Sequence, residues 1–176
     1  FVARGGKAIL LGSGPFPTLP TTFQMMSGGR VHGNNATVVR DHPFMVTFPH
    51  EGFCDWQFYT MLEGAETVVF NDLEIPFQPI VEIVSSYKMI RKQSSLFELQ
   101  VGAGRLLVCT LKLDETDCGA QYLLHAMLNY MNSEEFAPQT IVSPEWLKTL
   151  LLKSSVMDVD FSTDEGYDDG GHVKTQ

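Results

Sequence analysis

The chain has little that would tie it to several large functional classes. Basic residues are scarce, 12 Lys and Arg against 21 Asp and Glu for a net charge of −9, and an acidic body repels the phosphate backbone that clustered Lys and Arg would neutralise, so nucleic acid is not an expected partner. No apolar run approaches the ~20 residues that a membrane-spanning helix requires. Cysteine is sparse as well: Cys54, Cys109 and Cys118 are odd in number and irregularly spaced, which excludes a disulfide scaffold or a zinc ribbon. Internal repeats are absent. What is present is enough for a real core: 176 residues, 44% of them hydrophobic, point to one domain followed by a tail.

Charge and pattern place the division near residue 153. Residues 154–176 carry six acids against Lys174, so that tail holds −5 and the body −4, and the expectation is a domain over 1–153 followed by a flexible acidic segment. Within the tail, Asp158, Asp160, Asp164 and Asp169 are spaced like the oxygen donors of a calcium loop. The glycine that such a loop needs at its sixth position is replaced by Thr163 and its closing Glu by Asp169, so a solvated terminus is the expected state. At the other end, Phe1 to Arg4 followed by Gly5-Gly6 reads as the last turn of a helix and its glycine stop, and the expectation is that a helix and a first strand precede it.

Between these ends the pattern reads first as alternating strand and helix. Residues 7–12 form a short apolar run, expected as a strand buried on both faces of a parallel sheet. A long Gly- and Pro-rich loop fills 13–36, Asp55 is placed to cap a helix running to about Leu62, and 65–70 is a candidate strand. Residues 79–84, 95–101 and 105–111 then read as strands without helices between them, the last two joined as a hairpin by Gly102-Ala103-Gly104. Alternation puts Phe97, Leu99 and Val101 inside and Glu98 and Gln100 toward water. A helix over about 115–131 presents Ala120, Leu123, Leu124, Met127, Leu128 and Met131 as one stripe. A last helix starts from Ser143 and Pro144, with Trp146, Leu147, Leu150 and Leu151 as its apolar face. The sum is an α/β, three-layer flavodoxin-like sheet, mostly parallel with an antiparallel hairpin and flanked by helices.

The stretch from Asp41-His42-Pro43-Phe44 to Phe48-Pro49-His50-Glu51-Gly52-Phe53-Cys54-Asp55-Trp56-Gln57-Phe58-Tyr59 crowds His, carboxylate and aromatic side chains between Pro and Gly breaks, and such density on turns suits a site. Together with Tyr87 to Arg91, Phe97 to Cys109 and a closing helix, it resembles, over roughly residues 1–135, a C-terminal domain of bacterial family-2 glycoside hydrolases of the β-galactosidase type. The resemblance implies a glutamine-amidotransferase-like fold without its chemistry, serving interdomain or oligomer packing beside the other domains of a parent chain. It also implies a bacterial, exported or periplasmic setting and no cofactor.

Residue by residue, the chemistry thins out. An amidotransferase needs Cys on a strand-to-helix elbow, activated by His, and none of the three cysteines has a Gly-x-Cys-x-Gly setting. His50-Glu51-Gly52-Phe53-Cys54 misses the zinc-protease pattern by one ligand, and Pro49 and Gly52 oppose the helix it requires. Glu51 and Asp55 could form a glycosidase pair only inside a cleft that this chain is not expected to provide. Sugar binding asks for less: Trp56 as a stacking ring beside His50, Glu51 and Asp55. Against that stands the spacing of Trp56, Tyr59 and Leu62, which reads as a helix face pressed on the sheet and makes Trp56 a core residue. The expectation is a non-catalytic accessory domain, with carbohydrate binding or a small hydrolase in the 41–59 loop as the alternatives.

Overall fold

A computed structural model describes residues 1–23, 35–85 and 90–154. Its spine is a ten-residue strand, β6 (Lys92–Val101), too long to be served by one neighbour on each side. Its first half is flanked by β5 (Pro79–Val84) and β4 (Glu66–Val69), its second half by β8 (Ile141–Val142) and β7 (Gly104–Cys109). Beyond these lie β3 (Ala36–Val39) on β5, β2 (Thr18–Pro20) on β4 and β1 (Lys7–Leu11) on β7, completing an eight-stranded sheet. Of the seven pairings among the described residues, only β1 with β7 and β6 with β8 are parallel.

The flavodoxin-like, mostly parallel expectation is therefore wrong. No α-helix separates β1, β2 and β3 among the described residues, so strand and helix do not alternate at the start. The error has a physical source. Continuous apolar runs report burial on both faces, and residues 106–109 are buried to the last, but an antiparallel sheet covered on both faces produces the same run. β1 corrects the reading in the other direction, since it is a half-buried strand paired only with β7 among the described residues.

Two apolar clusters cover the two faces. On one, α1 (Trp56–Leu62), α2 (Cys118–Asn132) and a 3-10 turn over Pro43–Thr47 bring Phe58, Met61, Leu123, Met127, Phe44 and Met45 against Leu96 and Leu107. On the other, α3 (Pro144–Ser154) and the segment around Phe70 and Leu73 close over Phe97, which takes Phe70 and Phe16 edge-on at centroid distances of 4.8 and 5.4 Å. The α2 stripe is rotated from the expected one: Ala126 and Tyr130 are buried, whereas Leu124 is half-buried and Leu128 is exposed. Leu151 likewise falls outside the packed face of α3.

Gly5 does end a helical segment, at φ 102°, but the segment is a single 3-10 turn, Val2–Arg4. That turn sits on the hairpin because Gly104 has no side chain: a Cβ there would lie 1.9 Å from the Val2 carbonyl oxygen.

Candidate functional site

The loop before α1 is held from both ends. Phe44, Met45 and Phe48 are buried anchors, and the following turn runs along the outer edge of β3. There Val39 N–H donates to the Gly52 carbonyl at 2.8 Å and Cys54 N–H donates to Thr37 Oγ1 at 2.9 Å. Gly52 sits at φ 84°, a left-handed conformation that a side chain would strain. Its N–H donates to His50 Nδ1 at 3.1 Å, and Gln57 Nε2 donates to the Pro49 carbonyl. His50 and Gln57 are thus partly committed to shaping the turn. Burial pushes the Cys54 thiol up to about 12, against a smaller lowering by the Thr37 side chain, which disfavours the thiolate there.

Two open clefts flank this turn and share Asp55. One, of about 490 Å³, gathers His50, Glu51, Asp55 and Gln57 against Tyr122 of α2. The other, of about 520 Å³, is bounded by Phe23, Phe53, Trp56 and Tyr59. Three of the four predicted residues, His50, Glu51 and Asp55, are therefore brought together. Trp56 lies across Asp55 from the other two, in the second cleft.

Trp56 overturns the core reading, being 88% exposed, with Phe53 45% and Tyr59 38% exposed beside it. Tyr59 stacks on Phe23 at 6.0 Å and tilts toward Trp56 at 6.2 Å, so the rings form a continuous apolar rim. The helix offers two stripes, and Phe58, Met61 and Leu62 are the one turned inward. Asp55 occupies the N-cap position of α1, but its side chain makes no capping bond, and its Oδ1 is buried without a partner. The expected cap is absent, and the carboxylate is left with no helical role.

A second polar group escaped the sequence reading. Glu98 does not face water: its Oε2 accepts from Tyr130 Oη at 2.9 Å and lies 3.6 Å from His42 Nε2, while His42 and Tyr130 approach to 3.4 Å. Burial and the Glu98 charge push the Tyr130 phenol up, so it remains a donor. The arrangement ties the start of the loop to β6 and α2. The only signal for it was a Glu and a Tyr on strand and helix faces that meet only once β6 and α2 are packed together.

Among the described residues no group of three or more His, Cys, Asp or Glu side chains is arranged to hold a metal ion. The calcium candidates Asp158, Asp160, Asp164 and Asp169 lie outside those residues. No described helix is long and apolar enough to cross a membrane.

Residues 20–152 match the family described as Domain of unknown function (DUF8487), and the chain belongs to that family. No curated protein matches the chain. Nothing in the match links it to family-2 glycoside hydrolases or to glutamine-amidotransferase-like domains.

Proposed function

We propose, for a member of a family whose description carries no activity, that the chain is a carbohydrate-contacting binding domain whose ligand stacks on Trp56. The observation that carries this reading is the exposure of that ring, 88%, at the rim of a 520 Å³ aromatic cleft. Leaving such a ring in water forgoes the ~2–3 kcal/mol that covering a large apolar side chain returns, and neither α1 nor the core gains from it. A pyranose presents an apolar C–H face to such a ring and hydroxyls at its rim. Asp55 shares the cleft with the ring as an acceptor for those hydroxyls, and Glu51 lies with His50 in the adjoining cleft on the other side of Asp55. An accessory role beside a glycoside-hydrolase parent is the setting that the sequence resemblance suggests for this contact.

Tryptophan fluorescence during titration with galactose, glucuronic acid and β-linked oligosaccharides tests the proposal. A saturable change that is absent in Trp56→Ala, whose thermal unfolding matches the wild type, is the expected result. No response from the wild type to any saccharide, with response to a protein partner instead, would move the aromatic rim to protein recognition.

A further inference from the structure

The sheet has four outer strands among the described residues, and they are not alike. A free strand edge is a template for another chain, and folded proteins block it with Pro, charge, brevity or cover. β2 carries Pro20 at a position facing away from β4, as the bonds of Thr21 and Val69 on either side establish, so its edge lacks that donor. β3 is covered by the 50–54 turn through Val39 and Thr37. β8 has two residues.

β1 has none of these protections. Arg105 N–H donates to the Gly6 carbonyl and Gly12 N–H donates to the Cys109 carbonyl, which with the parallel register fixes Gly6, Ala8, Leu10 and Gly12 as the residues bonded to β7. Lys7, Ile9 and Leu11 consequently aim both backbone groups outward, and no described strand meets them. The one charge that could guard the edge is turned aside, since Lys7 Nζ donates to the Ser133 carbonyl at the end of α2 at 3.1 Å. Leu11 is 55% exposed. Ile9 at the rim of one apolar cluster, and Ala8 and Leu10 at the rim of the other, are only half-buried, so both layers beside the sheet thin out at this edge.

We propose that β1 pairs antiparallel with β1 of a second copy of this chain about a two-fold axis at Ile9, joining the two sheets into one. The pattern of outward groups selects this arrangement. Antiparallel pairing centred on Ile9 sets outward residue against outward residue, Ile9 against Ile9 and each Lys7 opposite Leu11 of the other copy. A two-fold parallel alignment in register would set these residues against themselves, where a parallel ladder needs an outward residue to face an inward one. Each opposed pair of outward residues exchanges two backbone hydrogen bonds, and the contact is isologous, so it closes at two subunits. The Trp56 rim lies on α1, away from β1, so this inference stands independently of the carbohydrate reading.

Analytical ultracentrifugation over a wide concentration range tests it. The expected result is a concentration-dependent dimer that Leu11→Lys and Ile9→Pro each convert to monomer. Ile9→Pro removes an outward N–H and no bond to β7. Val46→Lys, on the exposed 3-10 turn, adds the same charge elsewhere and should leave the dimer intact. Hydrogen exchange supplies a readout free of mutation: the amides of Lys7, Ile9 and Leu11 should lose protection on dilution while Ala8 and Leu10 keep theirs. A wild type that stays monomeric throughout, a dimer that survives both edge variants, or equal dissociation by Val46→Lys would overturn the proposal.

Discussion

The two tryptophans sit near the starts of two helices, each introduced by an Asp- or Ser-type cap position, and their fates are opposite. Trp146, in the first turn of α3, packs on the second apolar cluster and donates its Nε1–H to the Leu73 carbonyl at 3.2 Å. Trp56, the first residue of α1, is almost wholly in water. The caps divide in the same way. Asp117 accepts from the N–H groups of Gly119 and Ala120 at 2.8 and 3.2 Å, and Ser143 Oγ accepts from Trp146 N–H at 3.0 Å, while Asp55 caps nothing. Residues at α2 and α3 are explained by the fold they stabilise. Those at the start of α1 are not, and side chains without a structural duty are where a ligand contact is best sought.

The largest effect should come from breaking the buried member of the pair. Trp146→Ala removes ring packing and leaves the Leu73 carbonyl short of a donor, and because the ring is half-buried it should cost about 2–3 kcal/mol, at or below the lower end for fully buried aromatics. Urea unfolding monitored by circular dichroism measures this. A cost under ~0.5 kcal/mol, the range of ordinary surface substitutions, would mean that α3 does not hold the second face and that the contrast with Trp56 is illusory.

The caps give the intermediate effect. Asp117→Ala should destabilise by about 1 kcal/mol, as loss of a bonded N-cap does, and Asp55→Ala by no more than a few tenths. Acid sharpens the difference. The Thr60 hydroxyl, and then the Ala120 and Gly119 amides, hold the Asp117 carboxyl below its usual value of 3.8. A carboxyl whose folded value is depressed stabilises the fold above its ordinary value and loses that contribution as pH falls through the folded one. The gap between wild type and Asp117→Ala should therefore be widest near neutrality and close below about pH 3.8. Equal costs for the two aspartates at neutral pH would show that Asp55 caps α1 in solution.

Local chemistry made part of this readable. The glycine turn after Val101, Asp117 before α2 and the Ser143-Pro144 start of α3 all act within a few residues, and all three boundaries are where the sequence placed them to within about three residues. β6 was read short because Lys92, Gln93 and Ser94 look like loop. Gln93 and Ser94 are buried, and Ser94 Oγ donates within the sheet to the Val81 and Leu96 carbonyls. Strand direction was readable at the Gly102-Ala103-Gly104 hairpin, whose turn announces the antiparallel pairing of β6 with β7, but not across most of the sheet, since antiparallel pairings such as Glu82 with Ser94 join residues that share no local signal. In the candidate site, the density of polar groups on a broken loop was enough to bring His50, Glu51 and Asp55 together. It could not settle Trp56, because a seven-residue helix carried two aromatic-bearing stripes and spacing alone does not say which is turned inward.

The smallest effect on stability belongs to Trp56, and its smallness is what makes it informative. An aromatic ring with 88% of its surface in water has little burial to lose, so Trp56→Ala should change unfolding stability by no more than ~0.5 kcal/mol, as surface substitutions do. The chain has two tryptophans, so single-tryptophan variants separate their signals: Trp146→Phe leaves Trp56 alone, and Trp56→Phe leaves Trp146. The first should emit at long wavelength and be strongly quenched by iodide, and the second should emit further to the blue and be protected. A saccharide that stacks on the ring should then shield Trp56 from iodide and leave Trp146 untouched. Blue, protected emission from Trp56 without any ligand would show that something in the chain covers it, and would remove the exposed ring on which the binding proposal stands.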